Sequence, residues 1–122
     1  MDRSKALAVF SALSHEARLD LIRLLVPASP EGLSAGEIAR SLGLSSSRLS
    51  FHLAAMEQAG LLTSRRVARN IFYSVDAERL GGVVGWLLHD CCMKHPQVME
   101  CSRHRSEAPQ PAEGAPDLPD GR

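Results

Sequence analysis

Long apolar runs are missing from this sequence, and that absence excludes whole classes of function. No stretch approaches the roughly 18 apolar residues that a membrane span needs, so no membrane association is expected. Ala6 to Leu13 raise the question of a secretory leader, but the run is short, Asp2 spoils the basic start and Ser14-His15-Glu16 follow, so a signal peptide is rejected. Cysteine is scarce: three residues, Cys91, Cys92 and Cys101. An odd number cannot all pair within one chain, which points to free thiols in a reducing cytoplasm rather than a disulfide scaffold. Also lacking is any arrangement of nucleophile, base and base-orienter, so an enzyme is not expected.

Net charge is absent too, with 14 basic residues against 14 acidic ones, but the total hides an uneven distribution. Between Ser45 and Ser74, Arg48, Arg65, Arg66 and Arg69 face the single acid Glu57, a local excess of +3 (four minus one). Such a patch attracts nucleic acid by releasing counterions from the phosphates, and overall neutrality does not forbid this when the basic groups share a face. The 122 residues, 44% of them hydrophobic, suffice for one core, expected over residues 1–101. Residues 102–122 are expected to be a disordered proline-rich tail: from Ser106 onward lie four of the seven prolines, and Leu118 is the one large aliphatic residue.

Leu7, Phe10 and Leu13 recur at helical spacing behind Asp2, a suitable N-cap, and predict a first helix of about eleven residues. Ser14 is the expected cap of a second helix, whose apolar stripe is Leu19, Ile22, Leu25 and Val26. A loop from Pro27 to Gly32 follows. Ser34-Ala35-Gly36-Glu37 has the spacing of a capping box and starts a third helix that stops at Gly43. A fourth restarts after Ser45, with Leu49, Leu53 and Met56 on its buried side. This is a helix-turn-helix pattern.

The stripe turns Ser46, Ser47, Arg48, Ser50, Phe51 and His52 outward as candidates to meet DNA. Serine hydroxyls approach phosphates or base edges closely, and Arg48 can offer two hydrogen bonds to a guanine. After Ala59-Gly60, Leu61 to Arg65 and Asn70 to Val75 are β-prone runs joined by Arg66-Val67-Ala68-Arg69. They predict a hairpin that lays Arg65, Arg66 and Arg69 along the backbone or into a minor groove. Beyond it, Leu80, Val83, Val84, Leu87, Leu88 and Cys91 form the apolar face of a last helix capped by Asp76. Trp86 falls off that stripe and is read as ordinary packing.

Leu13-Ser14-His15-Glu16-Ala17-Arg18-Leu19, Gly36-Glu37-Ile38-Ala39, Ser50-Phe51-His52-Leu53 and Gly60-Leu61-Leu62 followed by Phe72-Tyr73-Ser74 together resemble the ArsR/SmtB repressors, over about residues 5 to 91. The resemblance implies a mainly α fold with a small β-hairpin, a winged helix-turn-helix that dimerises through its first and last helices. It implies an inverted-repeat operator in double-stranded DNA, released when an inducer is captured. The reading helix maps to Ser45–Ala59 and the wing to Leu61–Val75.

Cys91 continues the apolar stripe, Cys92 lies about 100° further around the helix, and Cys101 follows Pro96, which interrupts helical structure. Three thiolates would then converge on one ion. Trivalent arsenic and antimony are thiophilic and take three sulfurs, so As(III) or Sb(III) is the expected inducer at Cys91, Cys92 and Cys101, with no permanent cofactor. The neighbourhood also contains His89, Asp90, His95 and His104, leaving zinc or cadmium sensing open. A redox or persulfide switch is open as well, through a bond from Cys101 to one of the pair.

Overall fold

Each helix begins where a short side chain covers backbone donors that the first turn leaves bare. In the computed structural model, which describes residues 1–91, 97, 98 and 100, with side chains of the last helix given up to Leu88, α1 spans Arg3–Leu13. Asp2 accepts the Lys5 amide at 2.8 Å, a bond that holds its carboxyl below the ordinary range. Helix α2 spans Glu16–Leu25 and leads through the turn around Pro27 to β1, Leu33–Ser34. Helix α3, Ala35–Leu42, carries the expected capping box: Ser34 Oγ accepts from the Glu37 amide at 3.2 Å, and Glu37 Oε1 accepts from the Ser34 amide at 2.8 Å. Those bonds lower the Glu37 carboxyl.

Gly43 ends α3 with φ +67°, a left-handed conformation that costs glycine least. Helix α4, Ser46–Gln58, follows at once, its cap Ser45 accepting the Arg48 amide at 3.3 Å. Strands β2, Leu62–Val67, and β3, Asn70–Val75, form the hairpin, and α5 runs Ala77–Cys91 behind Asp76, whose carboxylate accepts the Arg79 amide at 3.1 Å. The sheet is antiparallel in the order β1-β3-β2, with Leu33 opposite Tyr73, Leu62 opposite Val75 and Val67 opposite Asn70. Val9, Leu21, Leu25, Ile38, Leu49, Met56, Leu61 and Val83 are fully buried, so the four larger helices, α3 and the base of the wing close on one core. Met1–Leu87 form one compact unit. This is the winged helix-turn-helix expected from the sequence.

Several local expectations change. His15, not Ser14, caps α2, its Nδ1 accepting from the Ala17 amide at 3.2 Å, while Ser14 closes α1. In α1 the buried residues are Ala6, Val9 and Ala12, and Leu7 and Phe10 face outward. In α2 the core takes Leu21 and Leu25 and leaves Leu19 and Val26 exposed. The wing's first strand continues to Val67, so the connection is Ala68-Arg69 alone, with Ala68 at φ +57°. Strand β1 was not anticipated. Trp86 is half-buried and packs against the core, as read from the sequence. Cys92, Cys101 and residues 102–122 lie outside the described residues, and the Cys91 side chain does too.

Candidate nucleic-acid interface

Burial of Leu49, Leu53 and Met56 fixes which side of α4 is free. Ser46, Ser47 and Arg48 occupy its first turn and are exposed, as is Ser50 one turn further on. Their backbone lies at the positive end of the helix macrodipole, which favours phosphate. Phe51 is 65% exposed, a large apolar surface on an otherwise polar face. The structure therefore brings Ser46, Ser47, Arg48, Ser50 and Phe51 together on one accessible surface.

His52 is a correction. It is 4% exposed and belongs to the buried side, where its Nδ1 accepts Arg18 Nε at 3.1 Å and its ring lies 4.5 Å from that of His15. The outward placement expected from the sequence fails because positions 49, 52, 53 and 56 share one helical face. Burial, and then the charges of His15, Arg18 and Arg48, lower its affinity for a proton. It is a packing residue behind the interface.

The wing is tied to α4 by Ser64, whose hydroxyl donates to Glu57 Oε2 at 2.8 Å. This bracket fixes the hairpin relative to the reading helix and was not legible from spacing. Arg65, Arg66 and Arg69 are all exposed. Arg65 is engaged, donating to the Glu31 carbonyl at 3.0 Å with its guanidinium carbon 5.3 Å from the Phe72 ring centre. Among the described residues no hydrogen bond occupies Arg66 or Arg69. Arg66 lies opposite Ile71 on β3, and Arg69 sits in the two-residue connection at the hairpin tip. The arrangement offers a helix face with hydrogen-bond donors and one aromatic, flanked by a cationic hairpin.

The proposed thiol ligands Cys91, Cys92 and Cys101 fall outside the described residues, apart from the backbone of Cys91 at the end of α5, and so do the side chains of His89, Asp90, His95 and His104. Among the described residues no three His, Cys, Asp or Glu side chains gather in a way that could hold a metal ion. No described helix is long and apolar enough to cross a membrane.

Residues 13–65 match a family model described as a helix-turn-helix domain. The chain is 42% identical over 88 residues to the HTH-type transcriptional regulator YgaV of Escherichia coli K12, covering 72% of this chain and 87% of that one. It is 34% identical to the transcriptional activator HlyU of Vibrio cholerae, covering 70% and 76% respectively. Among solved structures, an ArsR-like transcriptional regulator from Rhodococcus sp. RHA1 superposes with a TM-score of 0.67 at 25% identity, covering 85% of this chain and 93% of that one.

Proposed function

Because the chain belongs to the ArsR/SmtB-like family of helix-turn-helix transcriptional regulators, and is thus a DNA-binding regulator and not an enzyme, we propose that it is a metalloid-responsive repressor acting in the cytoplasm. In this reading a homodimer holds an inverted-repeat operator through Ser46, Ser47, Arg48, Ser50 and Phe51 of each reading helix, with Arg65, Arg66 and Arg69 on the flanking backbone. Reading heads about 34 Å apart would meet successive major grooves. Support for the dimer comes from apolar surface that the single chain leaves uncovered: Leu7 (58% exposed) and Phe10 on α1, and Val84 (48% exposed) and Leu87 on α5.

The inducer is As(III) or Sb(III), held by Cys91, Cys92 and Cys101. The observation that carries this is the donor set: every cysteine of the chain lies within eleven positions at the end of α5, and three soft thiolates complete the coordination of a pyramidal trivalent centre. Capture draws the segment around Cys101 toward α5, shifts the subunit seam and separates the reading heads. A coupling of about 3 kcal/mol lowers operator affinity more than a hundredfold.

Fully reduced, metal-free protein titrated with arsenite while bound to duplex DNA tests both halves. The expected result is loss of three free thiols per chain together with release of DNA. Arsenite binding with DNA affinity unchanged would refute the coupling. Release by zinc, or by an oxidant with a Cys101 disulfide, in place of arsenite would replace the inducer.

A further inference from the structure

Arg18 is half-buried at the start of α2 and joins three elements through one guanidinium. Its Nε donates to His52 Nδ1 on α4 at 3.1 Å, and its Nη1 reaches the Ala12 carbonyl on α1 at 3.4 Å. Its central carbon lies over the Phe51 ring, 5.6 Å from the centre, while the Phe51 and His52 rings meet edge to face at 5.6 Å. Phe51 has almost no burial to fix it, so these two contacts define where the ring points. We propose that Arg18 is a positioning residue for DNA reading: it holds Phe51 outward for apolar contact with a thymine methyl, and it does so only while His52 accepts its Nε–H. The inference rests on the DNA-reading assignment above and is independent of the inducer.

The hydrogen bond dictates a protonation state. A guanidinium has no acceptor atom and does not lose its proton, so His52 Nδ1 must be the bare nitrogen. The titratable and charged groups facing His52 are His15 and Arg18 from the start of α2 and Arg48 from its own helix, with the Ala12 carbonyl of α1 behind Arg18. None is an anion. A proton on Nδ1 would therefore place two donors and two cations face to face, expel Arg18 and remove the cation beneath Phe51. Burial and these charges already lower the His52 pKa from its ordinary 6.5. The neutral, DNA-reading arrangement is thus complete above about 6.5 and is lost as pH falls through the lower folded value. The sign is diagnostic: protonating a protein adds positive charge, which by itself tightens DNA binding.

A duplex selected by the natural protein from a randomised library is the probe, with anisotropy read between about pH 8 and about pH 5.5. Replacing each thymine by uracil removes a single methyl, worth about fourfold in affinity where it is buried. The natural protein is expected to lose this factor at one or more thymines and to weaken by up to about tenfold per pH unit in the acid limb. Arg18→Gln should abolish the methyl penalty, and His52→Gln, whose amide oxygen still accepts from Arg18 but takes up no proton, should flatten the acid limb. An uracil penalty retained by Arg18→Gln, no penalty in the natural protein, or an acid limb retained by His52→Gln overturns the proposal. If Arg18→Gln does not melt cooperatively, the His52→Gln profile decides alone. Failure of the natural protein to select any duplex instead overturns the DNA-reading assignment beneath it.

Discussion

The wing arginines give the sharpest quantitative test of how DNA is held. Arg66 and Arg69 are exposed, and no described hydrogen bond engages them, whereas Arg65 is already bonded to the Glu31 carbonyl and stacked over Phe72. Each phosphate contact contributes about 0.9 to the slope of log affinity against log salt, so Arg66→Ala and Arg69→Ala should each flatten the slope by about that amount. Between about 50 and about 200 mM salt this is a change of roughly threefold per arginine, equal on the selected duplex and on an unrelated one. Arg65→Ala should flatten it less, since its guanidinium has protein partners to lose as well. Arg48→Ala should differ in kind, lowering preference for the selected duplex by about 1–3 kcal/mol if the side chain reads a guanine edge. Anisotropy titrations at four or five salt concentrations measure all of this. Unchanged slopes for both Arg66→Ala and Arg69→Ala would show that the wing does not touch the backbone.

Two glycine substitutions should separate conformational cost from steric cost. At Gly43 (φ +67°) an added Cβ meets nothing within 4 Å, so Gly43→Ala carries the left-handed penalty of about 1–2 kcal/mol. At Gly32 (φ +86°) the same atom would lie 2.3 Å from the Tyr73 carbonyl oxygen, backbone of the central strand, so Gly32→Ala should melt at a distinctly lower temperature or lose a cooperative transition; equal melting temperatures would refute this. Phe10→Glu places a charge on the outward face of α1 and should yield monomers by sedimentation with a preserved helical spectrum and operator affinity at least tenfold weaker, about 1.4 kcal/mol. An intact dimer would move the subunit seam away from α1.

Those elements that rest on local chemistry were legible in the sequence. Ser34 with Glu37, Gly43 and Ser45 act within a few residues of themselves, and they delimit the helix-turn-helix as read. Strand β1 was not legible, because two residues carry no period and its pairing depends on Tyr73 and Phe72, some 40 positions away. The site divides in the same way. Serines and arginines on a solvent face declare themselves by type, so Ser46 to Arg48 and the wing were found. His52 was misplaced because its polarity outweighed its period: with Leu49, Leu53 and Met56 it completes an i, i+3, i+4, i+7 stripe. A buried imidazole at that position needs a polar partner, and the partner, Arg18, lies 34 residues earlier, beyond the reach of any spacing rule.

The first helix was misread in a way that carries its own information. Leu7, Phe10 and Leu13 make the larger apolar stripe, yet the chain buries the neighbouring one, Ala6, Val9 and Ala12. Small side chains let α1 approach α2 and α4 closely, and close approach gains dispersion contacts that a bulkier stripe would forfeit by standing off. Leaving a leucine and a phenylalanine in water is unfavourable by about 1.5–3 kcal/mol each, relative to burial. A helix that is apolar on two faces is thereby suited to two partners, one within its chain through alanine and valine, and one outside it through Leu7 and Phe10. Val84 and Leu87 repeat the pattern on α5, beside the buried Val83. In both terminal helices the small or β-branched residue turns inward while larger apolar surface stays open, which is the arrangement a subunit seam requires and a monomer has no use for.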